Sequence, residues 1–239
     1  MFAIDGEFVA NYMKKGIALL CHEVLYGLGQ VLINMVIGRQ DESAIAAMAA
    51  FRVLEGFVFA FYGGLAEASS VLVGKEVGAG HLKMAKNYLK GFSVLCPVVT
   101  FAICLLGILF HKPILAMFGL GTTAMNYGKY MLYVFLAAGT IRTCTFIMNL
   151  CFRAGGETVF GAILEVAGLF LLNVPATWIA GMVLKLPFPV VFAFVYADEI
   201  VRLFFEIWYA HSGKWIKPVT EAGIKALAEL REHGKAKQE

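Results

Sequence analysis

The sequence predicts an all-α polytopic membrane protein with six transmembrane helices and both termini in the cytoplasm. Of its 239 residues, 60% are hydrophobic and 15% are charged, whereas soluble domains contain about 25% charged and about 45–50% apolar residues. Apolar stretches long enough to cross a bilayer as helices, about 20 residues each, recur along the chain. Lys and Arg are concentrated in alternate loops, which indicates the orientation of the helices.

The first three predicted spans are separated by polar or glycine-rich segments. The first span, 16–38, is followed by a charged turn, and the second covers 44–74. Between the second and third spans, residues 72–90 are rich in Gly and Lys; glycine allows a helix to end, and lysine keeps a loop in water. The third span, 91–110, contains no charged residue and is interrupted only by Pro97.

The last three predicted spans occupy the second half of the chain. They cover 127–151, 158–182 and 188–210, and two prolines separate the last two. This interpretation divides the chain into an N-terminal cytoplasmic segment, a six-helix transmembrane lobe and a cytoplasmic tail, which cover 1–13, 14–210 and 211–239.

Basic residues are distributed unequally between the two sets of alternate loops. Because Lys and Arg are retained on the cytoplasmic side, the richer set is assigned to the cytoplasm together with both termini. The poorer set is Arg39, Lys112, Lys129 and Lys185. The richer set is Lys14, Lys15, Lys75, Lys83, Lys86, Lys90, Arg153, Lys214, Lys217, Lys225, Arg231, Lys235 and Lys237.

Charge and cysteine usage argue against several other classes of protein. The net charge of +3 comes from lysines beside the membrane spans, so no nucleic-acid partner is expected. The five cysteines are an odd number without a C-x-x-C pair, which argues against a disulfide framework and against a metal site. His22-Glu23 resembles the start of H-E-x-x-H, but Tyr26 stands where the second His is needed. Motifs of intramembrane proteases are also missing, so no enzyme activity and no cofactor are expected.

Charged residues inside the spans are the strongest functional signal, because each costs about 2.5–3.5 kcal/mol or more unless it faces protein or water. Counting from the flanking charges at 1.5 Å per residue places Glu23 about 12 Å and Arg142 about 16 Å inside the cytoplasmic boundary. Glu165 and Arg202 are expected in the same layer. Asp198 and Glu199 lie nearer the middle, with Asp198 one helical turn from Arg202.

This set contains more acids than bases, because Glu23, Glu165, Asp198 and Glu199 face only two arginines. At least one carboxylate is left without a fixed partner and can hold a proton or a metal cation. The alternative is that these residues form interhelical salt bridges that serve packing only. Asn34 is a further candidate for the cavity lining, although hydrogen bonding between helices explains it equally well.

Four motifs in order resemble the second half of a multidrug and toxic compound extrusion (MATE) transporter, across residues 14–218. LVGKEVGAG, at 72–80, is similar to the loop between the second and third helices of a lobe in that family. RAGGETVF, at 153–160, resembles its turn after the fourth helix. Asn173-Val174-Pro175, and Asp198-Glu199 followed by Ser212-Gly213-Lys214-Trp215, resemble the fifth helix and the C-terminal end of the lobe.

The resemblance implies one six-helix MATE-type lobe of a multi-pass cell (plasma) membrane protein that exports amphipathic or cationic compounds in exchange for protons or sodium. A carboxylate on the first helix of the second lobe binds the cation in many members, and Glu23 occupies the matching place. If coupling uses sodium, Glu23 is therefore the expected metal ligand. Many members have an Asp on the fourth helix, where this chain has no acid but Arg142, which favours a proton-coupled or altered site. The candidate cation- and substrate-binding residues are Glu23, Arg142, Glu165, Asp198 and Asn34.

The resemblance covers one lobe, whereas the family has two. The chain is therefore expected to act as a half-transporter, through a homodimer or with a separate chain as N-terminal lobe. The alternatives are a non-transporting fragment and a membrane substrate-binding subunit of a larger complex. The expected partners are the lipid bilayer and amphipathic or cationic small molecules.

Overall fold

The computed structural model describes residues 6–235, and every regular element in that range is helical. Residues 1–5 and 236–239, the ends of the predicted segments 1–13 and 211–239, lie outside the described residues. The α-helices are α1 (Gly6–Ile37), α2 (Glu42–Gly78), α3 (Leu82–Leu109), α4 (His111–Ala116), α5 (Thr122–Ala154), α6 (Val159–Gly168), α7 (Val174–Trp178), α8 (Phe188–Phe194), α9 (Glu199–Ser212) and α10 (Glu221–Lys235).

Five stretches within the described residues are long and apolar enough to cross a membrane: Leu20–Ile37, Glu42–Gly78, Leu82–Leu109, Thr122–Ala154 and Val159–Val183. They match the first five predicted spans, although α2 and α3 extend further. The predicted loop at 72–90 is therefore mostly helical, with a turn only at 79–81. Gly80 makes this turn with a φ of +84°, which non-glycine residues rarely adopt.

The predicted sixth span, 188–210, is broken into α8 and α9 by a turn at 195–198. A polar contact at residue 198 explains why the helix breaks there. The backbone N–H of Asp198 donates to Asn173 Oδ1 at 3.0 Å, so it bonds a side chain from another element. The break places Asp198 and Glu199 at the start of α9.

Residues 159–183 form one continuous helical stretch. It widens at two π-helical segments, Leu169–Asn173 and Ile179–Val183. Pro175 follows the first of these closely. A proline ring clashes with the carbonyl four residues earlier in a regular α-helix and lacks an N–H, and a π turn absorbs such a defect. Asn173, which supports the α8–α9 break, is the last residue of that widened segment.

Two apolar clusters lie at opposite ends of the helical bundle. One, which includes Phe51, Phe135 and Phe192, lies at the end that contains the turns 38–41 and 117–121. The other includes Phe152 and Trp215 and lies at the end with the turns 79–81 and 155–158, called here the lysine-rich end. Between the two clusters, α2, α5 and α9 carry charged residues that are partly buried (Glu55 and Arg142) or buried (Glu199, Arg202 and Glu206), so an ionisable layer separates two apolar cores.

The C-terminal helix α10 contacts the lysine-rich end. Thr220 Oγ1 donates to the carbonyl of Gly78 at 2.6 Å, and Ala226 and Leu227 pack against the apolar cluster there. A methyl group at Gly80 would lie 3.0 Å from the carbonyl oxygen of Ala222. The glycines of LVGKEVGAG thus permit close packing between the α2–α3 turn and α10.

Candidate functional site

A cavity of about 310 Å³ is lined by residues of the ionisable layer and, toward the lysine-rich end, by Leu150 and Arg153. One wall is aromatic: Phe59, Tyr62 and Phe146 pack edge to face with ring centroids 5.1–5.6 Å apart. The polar lining residues are His22, Glu23, Tyr26, Thr145, Asn149, Arg142, Arg153, Glu165 and Arg202. The cavity therefore combines an apolar aromatic surface with charged groups.

Arg142 of α5 connects three helices. Its guanidinium donates to Glu55 Oε1 at 3.3 Å and to the Tyr26 hydroxyl at 3.1 Å, and its Nε lies 3.9 Å from Glu199 Oε1. Glu55 also accepts from Arg52 at 2.9 Å. Direct hydrogen bonds thus hold Arg142, Glu55 and their partners in one arrangement. Hydrogen bonds that involve a charged group are stronger than those between neutral groups.

Arg202 of α9 has a different environment, because four carboxylates surround it at longer distances. Glu165 lies at 3.7 Å, Asp198 at 3.7 Å, Glu199 at 3.8 Å and Glu206 at 4.0 Å, measured between nitrogen and oxygen. These separations exceed ordinary hydrogen-bond length. The positive charge is shared among the four acids, and no short bond fixes it to one of them.

Several atoms of this group are buried without a hydrogen-bond partner among the described residues. They are Arg202 Nε, Asp198 Oδ1 and both Oε atoms of Glu206. Glu206 is 0% exposed. An ionised carboxylate in that position is strongly unfavourable, so such a group takes up a proton or moves toward a partner.

His22 bridges the cavity and this buried group. Its Nδ1 lies 3.3 Å from Glu23 Oε1, and its Nε2 lies 3.1 Å from Glu165 Oε2. The imidazole is 7% exposed, whereas Glu23 is 61% exposed. Glu165 in turn faces Arg202, so a continuous series of ionisable groups connects the open cavity with the buried carboxylates.

A second carboxylate network lies outside the spans, in the turn between α5 and α6. Glu157 Oε1 accepts from the backbone N–H groups of Val159 and Phe160 at 3.0 and 3.1 Å. Its Oε2 accepts from the Tyr209 hydroxyl at 2.8 Å and pairs with Lys217. Burial alone raises the pKa of Glu157, but these four partners outweigh that effect and lower the pKa to about 2. This carboxylate holds the turn, α9 and the following segment together.

Comparison with protein-family models decides the assignment. The model described as MatE matches residues 18–179, which is more than half of the chain. The chain belongs to the MatE family.

Solved structures of MATE transporters have the same fold as this MatE chain. ClbM in complex with Rb⁺ superposes with a TM-score of 0.75 at 17% identity, covering 87% of this chain and 49% of ClbM. A MATE structure in complex with MaD3S gives 0.76 at 16% identity, covering 85% of this chain and 46% of its own length. An outward-facing multidrug resistance MATE transporter of the MOP superfamily gives 0.74 at 16% identity, covering 88% of this chain and 48% of its own length.

The MatE chain spans about half the length of these solved structures. A search of curated proteins finds no match. Together with the five membrane-spanning stretches, the family assignment makes the chain a multi-pass helical membrane protein of a transporter family rather than an enzyme.

The structure brings together four of the five predicted site residues of this MatE chain. Glu23, Glu165 and Arg142 line the cavity, and Asp198 lies behind it, beside Arg202. Asn34 is exposed on α1 and lies outside the cavity lining.

Three residues of the observed site are missing from the predicted one: His22, Glu55 and Glu206. Glu206 stands four residues after Arg202, and Glu55 lies in the middle of a predicted span. Because both are charged residues within predicted spans, the sequence does contain a signal that they belong to the site. In the sequence, His22 belongs to an incomplete zinc motif, although its position beside Glu23 also suits a bridge between carboxylates. That His22 reaches Glu165, 143 residues later, depends on helix packing.

Proposed function

We propose that this chain is a MATE-type half-transporter in which proton entry through the ionisable layer drives the export of amphipathic or cationic compounds. The observation that carries the proposal is the continuous series from Glu23 through His22 and Glu165 to Arg202. Ionisable residues within membrane spans mark ion and proton pathways, and this series begins in an open cavity.

The arrangement around Arg202 favours protons over sodium as coupling ions. The guanidinium occupies the centre of the carboxylate group, where a bound metal cation would be repelled. The described side chains in and around the layer include six carboxylates and three arginines: Glu23, Glu55, Glu165, Asp198, Glu199 and Glu206, with Arg52, Arg142 and Arg202. Protons can neutralise the excess acid without displacing Arg202.

The aromatic wall of the cavity supports an amphipathic or cationic substrate. Aromatic faces attract organic cations, and Phe59, Tyr62 and Phe146 form such a surface next to Glu23 and Glu165. The Rb⁺ complex of ClbM is in keeping with cation binding in this fold.

We further propose six spans, with α8 and α9 together as the sixth, and both termini in the cytoplasm at the lysine-rich end. This keeps the predicted division into 1–13, 14–210 and 211–239. The exposure of Glu23, at 61% within a membrane span, supports a second lobe, because a carboxylate facing lipid is costly. A second copy of the chain in a parallel dimer would cover it.

Transport by reconstituted protein tests the proposal. Proteoliposomes with an acidic interior are expected to accumulate the fluorescent cation ethidium, and a sodium gradient at equal pH is expected to drive none. Glu23→Gln is expected to abolish the pH-driven uptake. Glu67→Gln is the matched control, because Glu67 is an exposed glutamate of α2 outside the series.

Native mass in nanodiscs distinguishes the assemblies. A dimer is expected. A monomer without transport would contradict the half-transporter and favour the substrate-binding subunit or the non-transporting fragment. Sodium-driven uptake would contradict proton coupling, and unchanged uptake by Glu23→Gln would contradict the role of Glu23.

A further inference from the structure

We infer that His22 is a proton relay that passes protons between the exposed Glu23 and the less exposed Glu165, which faces the buried Arg202; this inference rests on the proposed proton coupling. Two features of His22 distinguish it from a residue that only packs. Both ring nitrogens are engaged by carboxylates of different helices, at 3.3 and 3.1 Å. The ring is buried, so water has little direct access to it.

The geometry defines the transfer. Glu23 takes a proton from the cavity and gives it to Nδ1, while Nε2–H passes its proton to Glu165. One proton thus moves from Glu23 to Glu165, and the ring changes from the Nε2–H to the Nδ1–H tautomer. The reverse transfer, in which Nε2 takes the proton back from Glu165 and Nδ1 returns one to Glu23, restores the first tautomer. Imidazole suits this role because its charge changes near neutral pH.

Charged and titratable groups from the neighbouring helices face His22 or share its cavity. They are Glu23 and Tyr26 of α1, Tyr62 of α2, Arg142 and Arg153 of α5, Glu165 of α6 and Arg202 of α9. Of these, the two carboxylates lie within hydrogen-bond reach of the ring nitrogens.

Arrival of the proton on Glu165 changes the group around Arg202. Neutral Glu165 no longer attracts the guanidinium, which leaves Asp198, Glu199 and Glu206 as its anionic partners. Arg202 Nε and the Glu206 carboxylate oxygens, both without hydrogen-bond partners in the described part of the chain, can then approach each other. The relay would thereby couple proton entry on α1 and α6 to a displacement at α9.

Paired binding and transport measurements test the relay. His22→Gln keeps a polar side chain but cannot titrate. It is expected to reduce pH-driven ethidium uptake by about 10²-fold or more, the usual contribution of a positioned acid–base group, with ethidium affinity unchanged within about twofold. His111→Gln, a matched change at the opposite end of the bundle, is expected to leave both unchanged. Equal loss of binding and transport, or loss of neither, would overturn the relay.

Nitrogen NMR of the histidine-labelled full chain in detergent tests the same inference without transport. The His22 signal is the one of five histidines that disappears in His22→Gln. The chemical shifts of its two ring nitrogens, which report where the proton resides, are expected to change in Glu165→Gln and to stay the same in Glu67→Gln. Ring shifts that are the same in Glu165→Gln as in the unchanged protein would overturn the relay. If the ring shifts depend on Glu165 but no pH-driven uptake occurs, the proposed function fails and the proton link between His22 and Glu165 stands.

Discussion

Glu157, which bonds to α9, and Glu206, which belongs to α9, are both buried glutamates, yet their surroundings are opposite. Glu157 has four hydrogen-bond or ion-pair partners, whereas both carboxylate oxygens of Glu206 lack a hydrogen-bond partner in the part of the chain described. A carboxylate whose oxygens all have hydrogen-bond partners stabilises one arrangement of the chain. A buried carboxylate without such partners becomes more stable when it is protonated or when it moves to a partner. Glu157 therefore belongs to a turn that it stabilises, whereas Glu206 belongs to a layer that is suited to proton exchange.

Arg202→Met should have the largest effect, because it leaves four neighbouring carboxylates without their shared cation. We expect the free energy of unfolding to fall by about 3–5 kcal/mol at neutral pH and transport to be lost. Thermal unfolding in detergent, followed by tryptophan fluorescence, measures the change. Lowering the pH should restore part of the stability, because protonation neutralises the acids. Arg39→Met, at an exposed site, is the control, and equal losses in both variants would contradict this account.

Glu157→Ala should come second. The substitution removes the acceptor for two backbone N–H groups and the partner of Tyr209 and Lys217, so we expect a loss of about 1–3 kcal/mol in the free energy of unfolding. The same unfolding assay measures it. Glu76→Ala is the comparison, since the side-chain partner of Glu76 within residues 6–235 is an exposed His81. A loss no larger than that of Glu76→Ala would show that the turn does not depend on Glu157.

Glu206→Met should have the opposite sign. The substitution puts an apolar side chain of similar volume in place of a buried carboxylate that has no hydrogen-bond partner among the described residues. The free energy of unfolding should therefore stay unchanged or rise by about 1 kcal/mol. Unfolding at pH 7 measures this change. A loss as large as that of Glu157→Ala would mean that Glu206 is held as firmly as Glu157 and would remove the contrast between them.

The smallest effect should be the acid dependence that Glu157 contributes. Because its pKa is lowered from 4.5 to about 2 in the folded protein, its stabilisation is complete above pH 4.5 and is lost as the pH falls toward about 2. The unfolded chain binds the proton first, so stability rises with pH in this window. Glu157→Gln should show a shallower slope there than the unchanged protein, and an identical slope would contradict the assignment.

The motifs that resemble MATE sequences indicated the family, whereas the charged residues within the spans indicated the candidate site. RAGGETVF and LVGKEVGAG pointed to the family, and the structure places both at the lysine-rich end, where Glu157 and the glycines hold turns and the C-terminal segment. The charges predicted within the spans, from Glu23 to Arg202, mark the cavity and the layer behind it. Glu55 and Glu206 stand in the same spans, and spacing relates each to an arginine of its own helix, Arg52 and Arg202, but not to charges on other helices.

Hydrophobicity and glycine placement were enough to determine that this is a helical membrane chain and where its first five spans lie, because these properties act within one helix. The break at 195–198 required Asn173, which bonds the backbone of Asp198 from another helix. The bridge from Glu23 through His22 to Glu165 likewise depends on how α1 packs against α6. Contacts between residues more than a hundred positions apart, and the absence of short bonds around Arg202, are decided by tertiary packing, because only packing sets the distance between charges on different helices.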